Sequence, residues 1–310
     1  MPTNISLSSV SAIALLLFST LPQASPIPSI SGMAKINSET YLAVTDKKAH
    51  KKGVRVGILQ FNKGAPPQFQ PLTDIDWISA DGKANDLESV CPYPRKENEY
   101  LLAESGYWKG KYGRIFHVTL NNRTLTVLNI YKVPQTIESV SGKNGDNYEG
   151  IVCFEKGKTL YVVLGERGGS LFHRNGYLRV GALDQKSNKI DWLTRWEQPI
   201  EIIAPSNWNH NKSNRSISDL YLDEDGIIWA VATEDSGDNG PFRSIIYKAA
   251  KIPFINPWKP LIKVKHPTAH RVIDGFKIEA LSTPLNSIQK SHMLFCTDDE
   301  TYGGTCRPLF

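Results

Sequence analysis

The chain has 310 residues, with 36 Lys plus Arg against 31 Asp plus Glu and a formal net charge of +5. That mild excess is not gathered into a long basic run, which argues against a nucleic-acid polymer as partner. No cysteine or histidine spacing suggests zinc, and neither a G-x-S-x-G elbow nor a P-loop ending in Gly-Lys-Ser/Thr is present.

The N-terminus opens with an apolar run, Ala12–Phe18, followed by Leu-Pro-Gln-Ala. This pattern predicts a secretory signal over residues 1–24, although no Lys or Arg precedes the run. The run is too short to span a bilayer, and no later stretch is long enough. A secreted or periplasmic, monomeric protein is expected, with one domain over residues 25–310.

Five similar units follow: Ser29–Asp46, Asp86–Glu104, Asn147–Gly169, Ser216–Glu234 and Lys277–Asp298. Each reads as two strands joined by a polar turn. One frame aligns them, with Ser31, Glu88, Glu149, Ser218 and Glu279 leading the first strand and Asp46, Glu104, Glu166, Glu234 and Asp298 closing the second. Leading positions lie 57, 61, 69 and 61 residues apart. Several strands per long period signal propeller blades.

Two further strands per unit are predicted. They are Val54–Gln60 and about 69–79 in the first unit, Gly113–Leu120 and Leu125–Val133 in the second, Tyr177–Leu183 and Lys189–Trp196 in the third, and Ser244–Ile252 and Pro260–His266 in the fourth. The fifth unit has room for a third strand only. The expected fold is an all-β propeller of five four-stranded blades. A sixth blade, hidden in Glu197–Asn214, is the alternative.

Four cysteines are present. Cys296 and Cys306 flank a hairpin and can pair. Cys91 and Cys153 begin neighbouring blades one residue out of register. That offset turns them to opposite strand faces and argues against a bridge.

In a propeller the first strand lines the channel and the second runs back. The leading and closing positions therefore meet at one mouth. Carboxylates so crowded must be protonated, paired with Lys or Arg, or bound to a cation. Ser31, Glu88, Glu149, Ser218 and Glu279 offer radial oxygen ligands of the kind calcium takes.

The local sequences ISDL at Ile217–Leu220, YEGI at Tyr148–Ile151, EDSG at Glu234–Gly237 and RSIIYK at Arg243–Lys248, together with the Ser-Glu-Glu-Ser-Glu order, resemble the calcium-activated nucleotidases, the soluble apyrase family. The resemblance implies a five-bladed propeller with axial calcium that hydrolyses nucleoside di- and triphosphates. DLES, YEGI and the terminal TDDETYGGTCRPL are also similar to exported phytase-like or esterase-like propeller domains.

Glycine-bearing loops with Lys or Arg follow the second strand of each unit. Lys47, Lys109, Arg167 and Arg243 are accordingly expected to bind a small phosphorylated substrate, a nucleotide or phytate-like ester, with Tyr107, Trp108 and Tyr112 as stacking candidates. Glu166 and Glu234 lead the candidates for positioning water, with Glu104, Asp46 and Asp298 behind them. The alternative is a non-catalytic binding propeller with a structural calcium.

Overall fold

The computed structural model describes residues 27–73, 75–77, 82–108, 111–135, 147–169, 174–192, 199–205, 214–256, 259–288 and 290–310. The signal reading, Lys109 and most of the proposed sixth-blade segment lie outside them.

The chain is an all-β, five-bladed propeller. Blade 1 is β1(Gly32–Asn37), β2(Thr40–Val44), β3(Val56–Gln60) and β4(Gln68–Pro71). Blade 2 is β5(Leu87–Pro92), β6(Glu99–Glu104), β9(Arg114–Asn121) and β10(Thr124–Lys132), with a small hairpin, β7(Tyr107–Trp108) and β8(Lys111–Tyr112), inserted. Blade 3 is β11(Tyr148–Lys156), β12(Thr159–Glu166), β13(Gly176–Asp184) and β14(Lys189–Trp192), with β15(Ile200–Ile202) also on β13. Blade 4 is β16(Asn214–Leu222), β17(Ile227–Asp235), β18(Phe242–Lys251) and β19(Ile262–Lys263). Its extra strand β20(Ala269–Asp274), absent from the sequence reading, pairs with the first half of β18. Blade 5 has three strands, β21(Ile278–Ser282), β22(Met293–Thr297) and β23(Cys306–Leu309). Within each blade, neighbouring strands are antiparallel.

The second strands read as unbroken apolar runs because both faces are buried. Along β17, Ile228, Ala230 and Ala232 pack toward blade 3, while Trp229 and Val231 pack toward blade 5. The same parity splits Leu42 and Val44 from Tyr41 and Ala43 on β2. Five apolar cores result, one per blade junction, and their burial is the main stabilising term. The junction between blades 5 and 1 closes the ring without a strand shared between them. Tyr41 donates its hydroxyl to Thr283 O at 2.9 Å, and Ile30 N donates to Thr297 O at 3.2 Å.

This face-to-face stacking corrects the cysteine expectation. Cys91 and Cys153 do form a disulfide, with Cα atoms 6.2 Å apart. They lie on opposite-parity faces, but those are the faces that blades 2 and 3 turn toward each other, and both belong to the core between these blades. Cys296 pairs with Cys306 within blade 5, as the hairpin suggested.

Candidate functional site at the channel mouth

The leading residues occupy a recurrent irregularity. In blade 2, Leu87 faces Glu104 and Ser89 faces Ala103, so Glu88 is the extra residue of a bulge. Glu149 is skipped between Tyr148 and Gly150, and Glu279 between Ile278 and Ala280. Ser218 ends a longer skip, between Arg215 and Asp219. In blade 1, Ser31 stands just before the first paired residue and donates its N–H to Val44 O. Bulges re-aim a side chain out of the pleat, and here the same device recurs around one axis.

Tight strand approach explains the glycine after the leading position in blades 1 and 3. A Cβ on Gly32 would sit 2.7 Å from Ser89 Cα, and one on Gly150 would sit 2.6 Å from Leu220 N. Blades 2 and 5 carry Ser89 and Ala280 at this position, and blade 4 carries Asp219. Its carboxylate crosses to the next blade and accepts from Leu281 N at 2.6 Å.

All five leading residues are buried, the most exposed being Glu88 at 8%. Their partners differ sharply. Arg167 reaches Glu149 at 3.2 Å. Arg215 bridges Glu279 at 3.1 Å and Asp235 at 2.5 Å. Lys277 lies 3.1 Å from Glu279 and 3.9 Å from Asp298, and also pairs with Glu300. No ion pair reaches Glu88 among the described residues. Burial and the neighbouring carboxylates Glu149, Asp86, Glu279 and Asp46 push its pKa well above the usual range. Burial likewise lifts Glu279 to about 8, against the pull of Lys277 and Arg215. Ser31 Oγ and Ser218 Oγ, 1% exposed as residues, have no hydrogen-bond partner among the described residues.

The closing acids behave differently. Glu104 is fully buried and grips Arg114, with Nη2 at 2.6 Å from Oε1 and Nε at 3.1 Å from Oε2. It also accepts from Asn85 N and Arg114 N. Glu166 holds Arg179 at 2.7 Å. Glu234 stands opposite Arg243 across β17 and β18. Asp298 is buried and accepts from Glu300 N at 3.1 Å. Asp46 is half-buried, and burial, Asp298 and Asp86 raise its pKa. Asp86 is held by Lys48 and by Ser105 Oγ, the latter at 2.7 Å.

Of the expected phosphate binders, only Arg167 stands among the leading acids. Arg243 is half-exposed and paired with Asp274 at 3.3 Å. Lys47 packs beside Gly53, while its neighbour Lys48 makes the contact with Asp86. Tyr107 is buried in the core between blades 2 and 3, so it offers no stacking face. Arg215, Lys277, Lys48, Arg114 and Asp219 were missed by the sequence reading. Arg215 and Lys277 have a signal in hindsight, lying three and two residues before leading positions. Arg55, Arg114 and Arg243 recur where the third strand begins, which marks Arg114 as strand-borne rather than as a loop cation.

Among the described residues, no three His, Cys, Asp or Glu side chains converge closely enough to hold a metal ion. A cation would therefore rest first on Ser31, Ser218 and Glu88. Glu149 and Glu279 would join only by turning from their basic partners. Buried hydroxyls without partners, at the same repeat position as a carboxylate that no ion pair reaches, fit a hard, oxygen-seeking ion.

No protein-family model matches the chain, and no curated protein matches its sequence. Solved structures do share the fold. A GH43 endo-arabinanase from Bacillus licheniformis superposes with a TM-score of 0.50 at 12% identity, over 92% of this chain and 94% of that one. An α-L-arabinofuranosidase from Lactobacillus brevis gives 0.48 at 11% identity, over 91% of each chain. The likeness is one of fold. Neither of these two proteins is an apyrase or a phytase.

Proposed function

We propose that this chain is a cation-dependent hydrolase, with calcium on the propeller axis and acid–base hydrolysis of an uncharged, sugar-like substrate in the mouth. The observation that carries the reading is the pair of partnerless hydroxyls, Ser31 and Ser218, at the level of unpaired Glu88. Bound there, calcium would neutralise the excess of carboxylates and brace the five inner strands.

Asp46 and Asp298 are the acid–base candidates. Glu104 and Glu166 are each held by an arginine, which leaves them poorly suited to move a proton. Asp46 keeps its proton to higher pH, which suits a donor to a leaving group, and Asp298 beside it would take the proton of an attacking water. Two nearby carboxyls with different environments are what such a division of labour requires.

Substrate charge favours sugar over phosphate. Lys48, Arg167, Arg215 and Lys277 are all engaged by carboxylates, so none is left over for a polyphosphate. The endo-arabinanase that shares the fold points the same way. The test is a panel of arabinan, xylan, ATP, ADP and phytate, assayed in calcium with the wild type and Asp46→Asn. Reducing-sugar release that falls at least about a hundredfold in the variant is expected. Phosphate release instead would replace the substrate class, and no turnover on any substrate would leave a binding propeller.

A further inference from the structure

Residues 252–261 join β18 to β19 at the end of blade 4 remote from the acidic mouth. β18 begins at the mouth, where Phe242 faces Asp235, and ends at Lys251, opposite Ile227. At the tip of this connection Phe254 and Ile255 are 90% and 95% exposed. They are the two most exposed large apolar side chains among the described residues, and they are adjacent. Every other exposed large apolar residue described keeps at least a quarter of its surface covered.

The tip is held in shape. Lys156, from the turn of blade 3, donates its ammonium to Asn256 O at 2.5 Å and to Lys259 O at 2.6 Å. Asn256 Oδ1 accepts from Lys259 N at 3.3 Å. Pro253 and Pro260 stiffen the flanks. A braced backbone that presents two bare apolar side chains is unlike a loop folding onto its own blade.

The surroundings are basic. No acidic residue occurs between Asp238 and Asp274, whereas Lys248, Lys251, Lys259, Lys263 and Lys265 all do. Lys156 and Lys158 add charge from blade 3. An acidic turn, Asp223–Asp225, lies against the loop, placed there by the bond from Ile252 N to Gly226 O at 2.8 Å. Its Asp223 is turned inward and accepts from Ile227 N and Trp229 Nε1. The cations around the tip outnumber the acids.

We infer that this tip docks the protein on an anionic phospholipid surface, with Phe254 and Ile255 entering the acyl boundary and the lysines facing the headgroups. Apolar side chains ringed by lysines bind such interfaces by burial plus attraction to anionic lipid. The acidic mouth, at the opposite end, would then face away from the membrane. The inference is independent of the proposed chemistry.

The test is co-sedimentation of the full protein with vesicles of phosphatidylglycerol and phosphatidylcholine, against phosphatidylcholine alone. Binding to the anionic vesicles that weakens about tenfold in Phe254→Ser/Ile255→Ser, and falls with added salt, is expected. Both changed positions are bare, so the fold should survive, and an unchanged melting temperature checks this. A Lys251→Gln/Lys265→Gln variant should weaken binding with the tip intact. No binding by the wild type, or equal binding by the tip variant, overturns the inference. So does light scattering that shows the tip mediating self-association instead.

Discussion

Acids stand in two rings at one end of the channel, and Glu104 and Glu166 of the closing ring are treated differently from Glu88 and Glu279 of the leading ring. In the closing ring, Glu104 and Glu166 each have a dedicated arginine, on the third strand of their own blade. In the leading ring, Arg167 takes Glu149, Arg215 and Lys277 share Glu279 with other acids, and no ion pair reaches Glu88 among the described residues. A buried carboxylate with a matched bidentate partner stabilises one fold and does little else. One left short of counter-charge keeps its proton or takes a cation. The difference teaches that a cation should be sought in the inner ring, and proton transfer among the closing acids without an arginine, Asp46 and Asp298.

The sharpest way to break the comparison is to remove one carboxylate from each ring. Glu104→Ala strands Arg114 in the interior and should cost about 3–5 kcal/mol. Glu88→Gln removes a buried carboxyl that no ion pair engages and whose ionisation burial and its acidic neighbours oppose, so in EGTA it should be neutral or stabilising. Urea unfolding of the two variants reads the contrast, and equal losses would erase the distinction between the rings.

Next in size comes the Cys91–Cys153 bridge. Its removal by Cys91→Ala/Cys153→Ala should cost about 2–4 kcal/mol, because it ties blade 2 to blade 3 across a sequence separation of 62 residues. Non-reducing peptide mapping of the wild type would show the linkage directly, and a peptide carrying free Cys91 would refute the pairing.

The comparison also sets a pH dependence. Glu279 has its folded-state pKa raised to about 8, so the folded state holds a proton that the unfolded chain releases near 4.5. Its contribution is fully present below about pH 4.5 and is lost as pH rises toward 8. Metal-free protein should therefore lose stability across that window, and Glu279→Gln should flatten the slope. A slope unchanged by this substitution would show that Glu279 is already ionised through its basic partners.

The smallest effect on the bare fold is expected from Ser31→Ala/Ser218→Ala. These hydroxyls have no partner to lose, so stability in EGTA should move by roughly 0.5 kcal/mol or less. The stabilisation by calcium should shrink far more.

Much of the architecture was legible in the chain. Frame repetition located the inner strand pair of every blade, and Ser31, Glu88, Glu149, Ser218 and Glu279 do share one structural position. Strand alternation alone would not have shown that the position is a bulge, because a bulge is a property of pairing. The parity of Cys91 and Cys153 is right but was applied within one sheet, whereas blades meet front to back. β20 was missed because HRVID lies beyond the two-residue strand β19, and a fifth strand breaks the repeat. The cations of the mouth were misassigned for a related reason. Lys47 sits in the right loop and Arg243 at the start of β18, but which basic residue turns inward depends on strand register. Lys48 and Arg215 are the ones that do.

Thermal unfolding of the purified protein in EGTA and in millimolar calcium tests the axial site most directly. At a hundredfold excess over the dissociation constant, calcium should add about 2.7 kcal/mol, seen as a raised Tm that Ser31→Ala/Ser218→Ala largely abolishes. A Tm unmoved by calcium in the wild type would contradict the account, leaving the inner ring as a proton-sharing cluster rather than a cation site.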